Sequence, residues 1–172
     1  ADRISSGFDR TGFDEYNMAI AFQDYQKTRL LSLFEGLLSE TDKTGNRRYC
    51  YPLRALSPKS IFPGLKSDIE PANVESANQE YKMLFEQFVF DLERLLHRNE
   101  NVGLWFEHFD SLMMIYTSAI PAARAGKVVP DVSLYDHSRI TSALASALYL
   151  YHSDKGFMEV DAITSTKEKK FL

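Results

Sequence analysis

Tyr81, Leu84, Phe85, Phe88, Leu92, Leu95 and Leu96 stand at offsets 0, 3, 4, 7, 11, 14 and 15, a series that only a helix gathers onto one face. The spacing predicts a helix over residues 81–96, broken by "RNENVG". Trp105, Phe109, Leu112, Met113 and Tyr116 predict a second helix over 104–120. Leu30, Leu31, Phe34, Leu37 and Leu38 predict an earlier one over 16–38, with Gly45 and Asn46 in the loop beyond. Between these, "YCYPLRALSPKSIFPG" carries Pro52, Pro58 and Pro63, which withhold backbone donors and favour extended chain. A short strand or irregular arm, a Pro-rich extended insertion over about 49–64, is expected there. The fold class is mainly α.

A chain of 172 residues fits one domain and is long enough to bury a core. At 44% hydrophobic and 26% charged it is ordinary globular material, and 13% aromatic content supplies bulky side chains to pack between helices. Twenty basic against 24 acidic side chains give a formal charge of −4, which excludes a protein that coats itself with nucleic acid over its whole surface. Any such contact is expected to be local. The single cysteine, Cys50, cannot form an intramolecular disulfide and is expected to be a small apolar-site residue without redox function. No signal peptide and no apolar run of 18 residues are present, so the expectation is a soluble cytoplasmic protein without membrane contact. "ADRISSG" begins as though in mid-element and "KEKKFL" turns apolar where a strand could begin, which suggests an excerpt of something larger.

One feature resists a purely structural reading. "PDVSLYDHSRITSALASALYLYH" opens with Ser133 three residues before Asp136, the Ser-x-x-Asp pattern of a helix start. His137 then lies in the first turn and shares a face with Thr141, Leu144 and Leu148. A histidine in that place is more often a satisfied structural residue than a metal ligand. His97 suits a helix end by its charge, and His108 and His152 have no partner at ligand spacing. Zinc-finger and zincin spacings, glycine-rich phosphate loops and a Gly-x-Ser-x-Gly elbow are missing from the sequence. Ser5, Ser6 and Gly7 read as a cap or turn.

The combination resembles a family. "ADRISSGFDR", "TRLLSLFEGL", "YPLRALSPKSIFP", "AIPAA" and "PDVSLYDHSRITSALASALYLY" occur in the order found in the large subunit of type III-A CRISPR effector complexes, the Csm-type subunit with an HD nuclease domain and two polymerase-like palms. The resemblance runs from Ala1 to about Tyr151. It implies a helical bundle similar to a circularly permuted HD phosphohydrolase domain over 1–152, followed over 153–172 by a linker toward a palm domain not included. It further implies a divalent metal, manganese or another transition ion, held by Asp2 and His137 as catalytic ligands, with Asp136 and Thr141 behind them. The implied activity is metal-dependent endonuclease or exonuclease cleavage of single-stranded DNA in antiviral defence. The implied partners are the other effector subunits and the guide RNA. ATP and cyclic oligoadenylate synthesis belong to the palms outside this chain.

The His-Asp doublet that gives HD domains their name is absent from these residues, and "YDHSR" carries the two in reverse order. On these residues alone the expectation is an incomplete metal site and no nuclease activity. The alternative is a non-catalytic helical scaffold of the same complex, with His137 structural. A third reading, ranked lowest, is a bare nucleic-acid binding module in which Arg47 and Arg48 beside Tyr49 and Tyr51 offer charge and stacking surface.

Overall fold

The computed structural model describes residues 1–2, 5–6, 25–37, 47–97, 99–123 and 129–156. In chain order these contain a 3-10 turn at Leu33–Leu37, strands β1 (Tyr49–Cys50) and β2 (Gly64–Leu65), and helices α1 (Lys66–Ile69), α2 (Val74–Glu93), α3 (Val102–Thr117) and α4 (Leu134–Lys155). The described chain is mainly helical, as its periodicities require. It divides into two compact units, one of Ala1–Asp9 with His137–Leu172 and one of Arg10–Asp136.

In the second unit, α2 begins well before its apolar stripe. The Asn73 side chain accepts the Ser76 N–H at 2.8 Å and the Ser76 hydroxyl accepts the Asn73 N–H at 3.3 Å, a reciprocal cap that satisfies two terminal donors. The expected start at residue 81 is therefore corrected to Val74. The helix stops at Glu93, so Leu95 and Leu96 of the stripe lie beyond it, and Leu96 is exposed. Asn101 caps α3 by accepting the Leu104 N–H at 3.0 Å. Leu53, Leu84 and Tyr116 form the buried centre against which Tyr81, Phe88, Leu112 and Ile120 pack. Phe88 meets Tyr116 edge to face at 5.7 Å, and the Tyr116 hydroxyl donates to the Asp91 carboxylate, tying α3 to α2.

The helix expected over 16–38 is not what the described part of that stretch forms. Residues 16–24 and 38 lie outside the described residues, but Tyr25–Lys27 make a turn and Leu31 pairs as an isolated bridge with Cys50. The backbone is committed to neighbours far away in sequence. Leu31 N–H donates to Pro130 O at 2.8 Å, Ser32 N–H to Tyr49 O at 3.1 Å, and Tyr51 N–H to Leu30 O at 2.8 Å. These bonds replace the i to i−4 ladder a helix needs. Phe34, counted in the helical stripe, is exposed.

Arg29 anchors the start of this stretch. Its side chain is 0% exposed. One guanidinium nitrogen donates to the carbonyls of Gln26, Lys27 and Thr28 at 3.2, 3.2 and 3.3 Å, and the other reaches Glu80 on α2 at 2.7 Å. The Tyr81 ring lies 5.7 Å from the guanidinium carbon.

The Pro-rich segment is short strand plus irregular chain. β1 runs antiparallel to β2, with Tyr49 opposite Leu65 and Cys50 opposite Gly64. The chain between is closed by buried Ser60, whose hydroxyl donates to Ala55 O at 2.8 Å and accepts the Ser57 N–H at 2.8 Å. Leu31, Cys50 and Val129 make a second small core with Ile69 against it. Burial pushes the Cys50 thiol up to about 12, so it stays a protonated, inert packing group.

In the first unit, α4 keeps one protected face. His137, Thr141, Leu144 and Leu148 are half-buried and His152 is buried, while most intervening positions are exposed. Gly156, at φ 70°, donates its N–H to Ser153 O at 3.2 Å and ends the helix in the left-handed region that glycine adopts without strain. Of the linker expected over 153–172, residues 153–155 still belong to α4, and 157–172 lie outside the described residues.

Replacing Arg29 with Ala strands three carbonyls and Glu80, and is expected to cost about 2–4 kcal/mol in chemical denaturation, less than a fully buried pair because Glu80 keeps some water. Alkali gives a second check. Burial first, then the Asp91 carboxylate, push the Tyr116 phenol up to about 12 from an ordinary value of 10.0. A pKa raised on folding means stability that is intact below pH 10 and lost as pH climbs to about 12. Melting temperature should fall through that window, and Tyr116→Phe should flatten the fall while losing about 1–3 kcal/mol at neutral pH.

Candidate functional site

The start of α4 is built by Ser133. Its hydroxyl accepts the Asp136 N–H at 3.0 Å and donates to the Asp136 carboxylate at 2.6 Å, so the sequence-predicted cap is in place. Upstream, Leu134 N–H donates to Ile120 O at 2.7 Å, and Ala122 N–H to Val132 O at 2.9 Å. Asp136 is thus a capping residue, and its described side-chain contact is with Ser133.

One residue on, the first unit brings chain positions 135 residues apart together. His137 Nε2 lies 3.2 Å from Asp2 Oδ1. Residues 2, 5 and 6 are helical, and Ser5 N–H donates to Ala1 O at 2.9 Å. Asp2 and Ser5 therefore sit on one side of a helical turn. The Ser5 hydroxyl lies 2.6 Å from Thr141 Oγ1, 3.2 Å from Asp2 O and 3.5 Å from His137 Nδ1. Ser5 is 0% exposed, whereas the Asp2 side chain is 76% exposed and that of His137 17%. The result is a polar cluster with a sealed hydroxyl base and an open carboxylate rim.

A separation of 3.2 Å has two chemical meanings. A proton on Nε2 would make a hydrogen bond of ordinary length. Two donors on one cation, each near 2.0–2.2 Å from it, stand about 2.8–3.6 Å apart for angles between octahedral and tetrahedral. The donor set, one imidazole and one carboxylate, suits a transition ion. Among the described residues no group of three or more His, Cys, Asp or Glu converges.

The remaining sequence candidates are separated by the structure. Arg47 is engaged by Asp131 in a part-buried ion pair at 2.8 Å, so it holds the fold together rather than presenting its charge. Arg48 is exposed, and its backbone serves Glu35 and Lys66. His97 and His108 meet edge to face at 4.8 Å, a contact that no ligand spacing signals. Both ring nitrogens of buried His152 lack a hydrogen-bond partner among the described residues. The described residues of the second unit line two cavities of note. One, of about 650 Å³, is lined by Leu53, Arg54, Asp68, Glu80 and Met83; the other, of about 220 Å³, by Tyr51, Arg54, Ile61, Asp131 and Ser133. Neither is lined by Asp2 or His137. No described helix is long and apolar enough to cross a membrane.

Comparison with known proteins decides the kinship. The chain is 31% identical over 165 residues to the CRISPR system single-strand-specific deoxyribonuclease Cas10/Csm1 (subtype III-A) of Methanocaldococcus jannaschii, covering 87% of this chain. The protein of the same description from Enterococcus italicus is 33% identical over 88% of this chain, and that from Streptococcus thermophilus 29% over 91%. The chain is a Cas10/Csm1-like segment. It spans 18–19% of the length of these relatives. No family model matches it, and neither does any solved structure.

Sequence reasoning missed Ser5 as a member of this cluster in the Cas10/Csm1-like segment, although its place three residues after Asp2 is a same-face helical spacing. It also missed the commitment of Arg47 to Asp131, for which the sequence offers no signal. Because Ser133 sets where α4 begins, Ser133→Ala is expected to cost about 1 kcal/mol in denaturant titration and Ser133→Asn to recover most of it.

Proposed function

We propose that this segment contributes part of the metal centre of an HD-type nuclease that cleaves single-stranded DNA, within a larger Cas10/Csm1-like polypeptide. The carrying observation is the 3.2 Å approach of His137 Nε2 to Asp2 Oδ1, between residues 135 apart in sequence. The description of the relatives as single-strand-specific deoxyribonucleases supports the substrate class.

In this reading His137 is a neutral nitrogen donor and Asp2 an oxygen donor to a divalent transition ion, manganese foremost. Such an ion supplies hydroxide near neutral pH and a counter-charge for the phosphodiester oxygen. The chain's own residues orient the donors. Ser133 and Asp136 cap the start of α4. Thr141 backs the imidazole from the next turn through Ser5. Further donors come from the His-Asp doublet of the full polypeptide, and the bundle is a circularly permuted HD fold. The full protein works with the other type III-A effector subunits and guide RNA in the cytoplasm, and its palms carry the ATP-dependent synthesis of cyclic oligoadenylate.

The absence of a three-donor group among the described residues favours a second reading, a helical scaffold with a structural His137–Asp2 ion pair. Calorimetric titration of the full-length protein with Mn²⁺ separates the two. His137→Ala should weaken binding at least tenfold, and Asp2→Asn should weaken it measurably. Equal affinity in wild type and His137→Ala leaves only the scaffold.

A further inference from the structure

The metal-centre reading leaves the Ser5 hydroxyl without a task, yet it is the most enclosed polar group of the cluster. A serine hydroxyl has one proton to give and two lone pairs to fill. Three partners surround this one: Thr141 Oγ1 at 2.6 Å, Asp2 O at 3.2 Å and His137 Nδ1 at 3.5 Å. The Ser5 proton has two acceptors nearer than the imidazole, Thr141 Oγ1 and the Asp2 carbonyl. Whichever takes it, a Ser5 lone pair is left toward the imidazole, and His137 fills it with a proton from Nδ1. The alternative sends the Ser5 proton to Nδ1 across the longest of the three contacts, past both nearer acceptors.

We infer that Ser5, oriented by Thr141, holds His137 in the tautomer protonated on Nδ1, so that the lone pair of Nε2 faces the Asp2 carboxylate. Resting on the metal-centre reading, this makes Ser5 a positioning residue. It touches neither substrate nor ion and acts through the imidazole. A neutral imidazole can present only one lone pair, and a partner on the far nitrogen chooses which. The hydroxyl pair does so from the sealed side of the cluster, where Ser5 is 0% exposed. It also fixes the ring plane, because Ser5 belongs to the same helical turn as Asp2. The two donors are thus aligned by one small scaffold.

The test uses the full-length protein, with Mn²⁺ as the calorimetric probe and diamagnetic Zn²⁺ for nitrogen NMR of the histidine ring. Wild type should show His137 protonated on Nδ1 and metallated on Nε2. Ser5→Ala should weaken Mn²⁺ binding about ten- to hundredfold while the metal-free melting temperature stays close to that of wild type. Thr141→Val, which keeps the shape and drops the hydroxyl, should weaken binding in the same direction, and Thr141→Ser should restore it. That pair carries the test if Ser5→Ala does not fold. Zinc on Nδ1, or full Mn²⁺ affinity in Ser5→Ala and Thr141→Val while His137→Ala has lost it, overturns the positioning role and spares the metal centre. Undiminished affinity in His137→Ala removes both.

Discussion

A guanidinium sealed from water is tolerable only where nearly every donor finds an acceptor, and the burial of Arg29 organises the second unit around that demand. Three successive carbonyls of its own turn and one carboxylate from α2 meet it. The following residues leave the turn extended and pair their backbone with Tyr49, Tyr51 and Pro130 in place of a helical ladder. The buried cation ties the start of this connective stretch to α2. Two residues on, Leu31 meets Cys50 and Val129 in the small core.

The polar cluster of the first unit follows a different logic. Its base is sealed and uncharged and its rim is open and anionic, so whatever is held between His137 and Asp2 must carry positive charge, be it a proton or a metal ion. The hydroxyls beneath add no charge of their own. A carboxylate in their place would raise the basicity of the ring.

The sequence made the long helices legible because their signals are local. Stripes around Leu84 and Tyr116 and the Ser133–Asp136 cap depend on side chains within a few turns. The stretch around Leu31 was misread for the converse reason. Its apolar spacing is helical, but its backbone partners lie at Tyr49, Tyr51 and Pro130, and no window of 15 residues contains them. At the site, His137 and Asp2 could be named only through resemblance, since neither has a local ligand partner. Ser5 was overlooked because a serine beside a glycine reads as a turn until the distant Thr141 is placed against it.

The sealed thiol of Cys50 has a use that owes nothing to chemistry at the site. It sits at 0% exposure where the extended stretch, β1 and the connector at Val129 converge. An alkylating reagent can reach it only when that junction parts. The labelling rate of the chain's sole thiol would then time the breathing of this seam, a built-in stopwatch for local opening beside the slower clock of global unfolding.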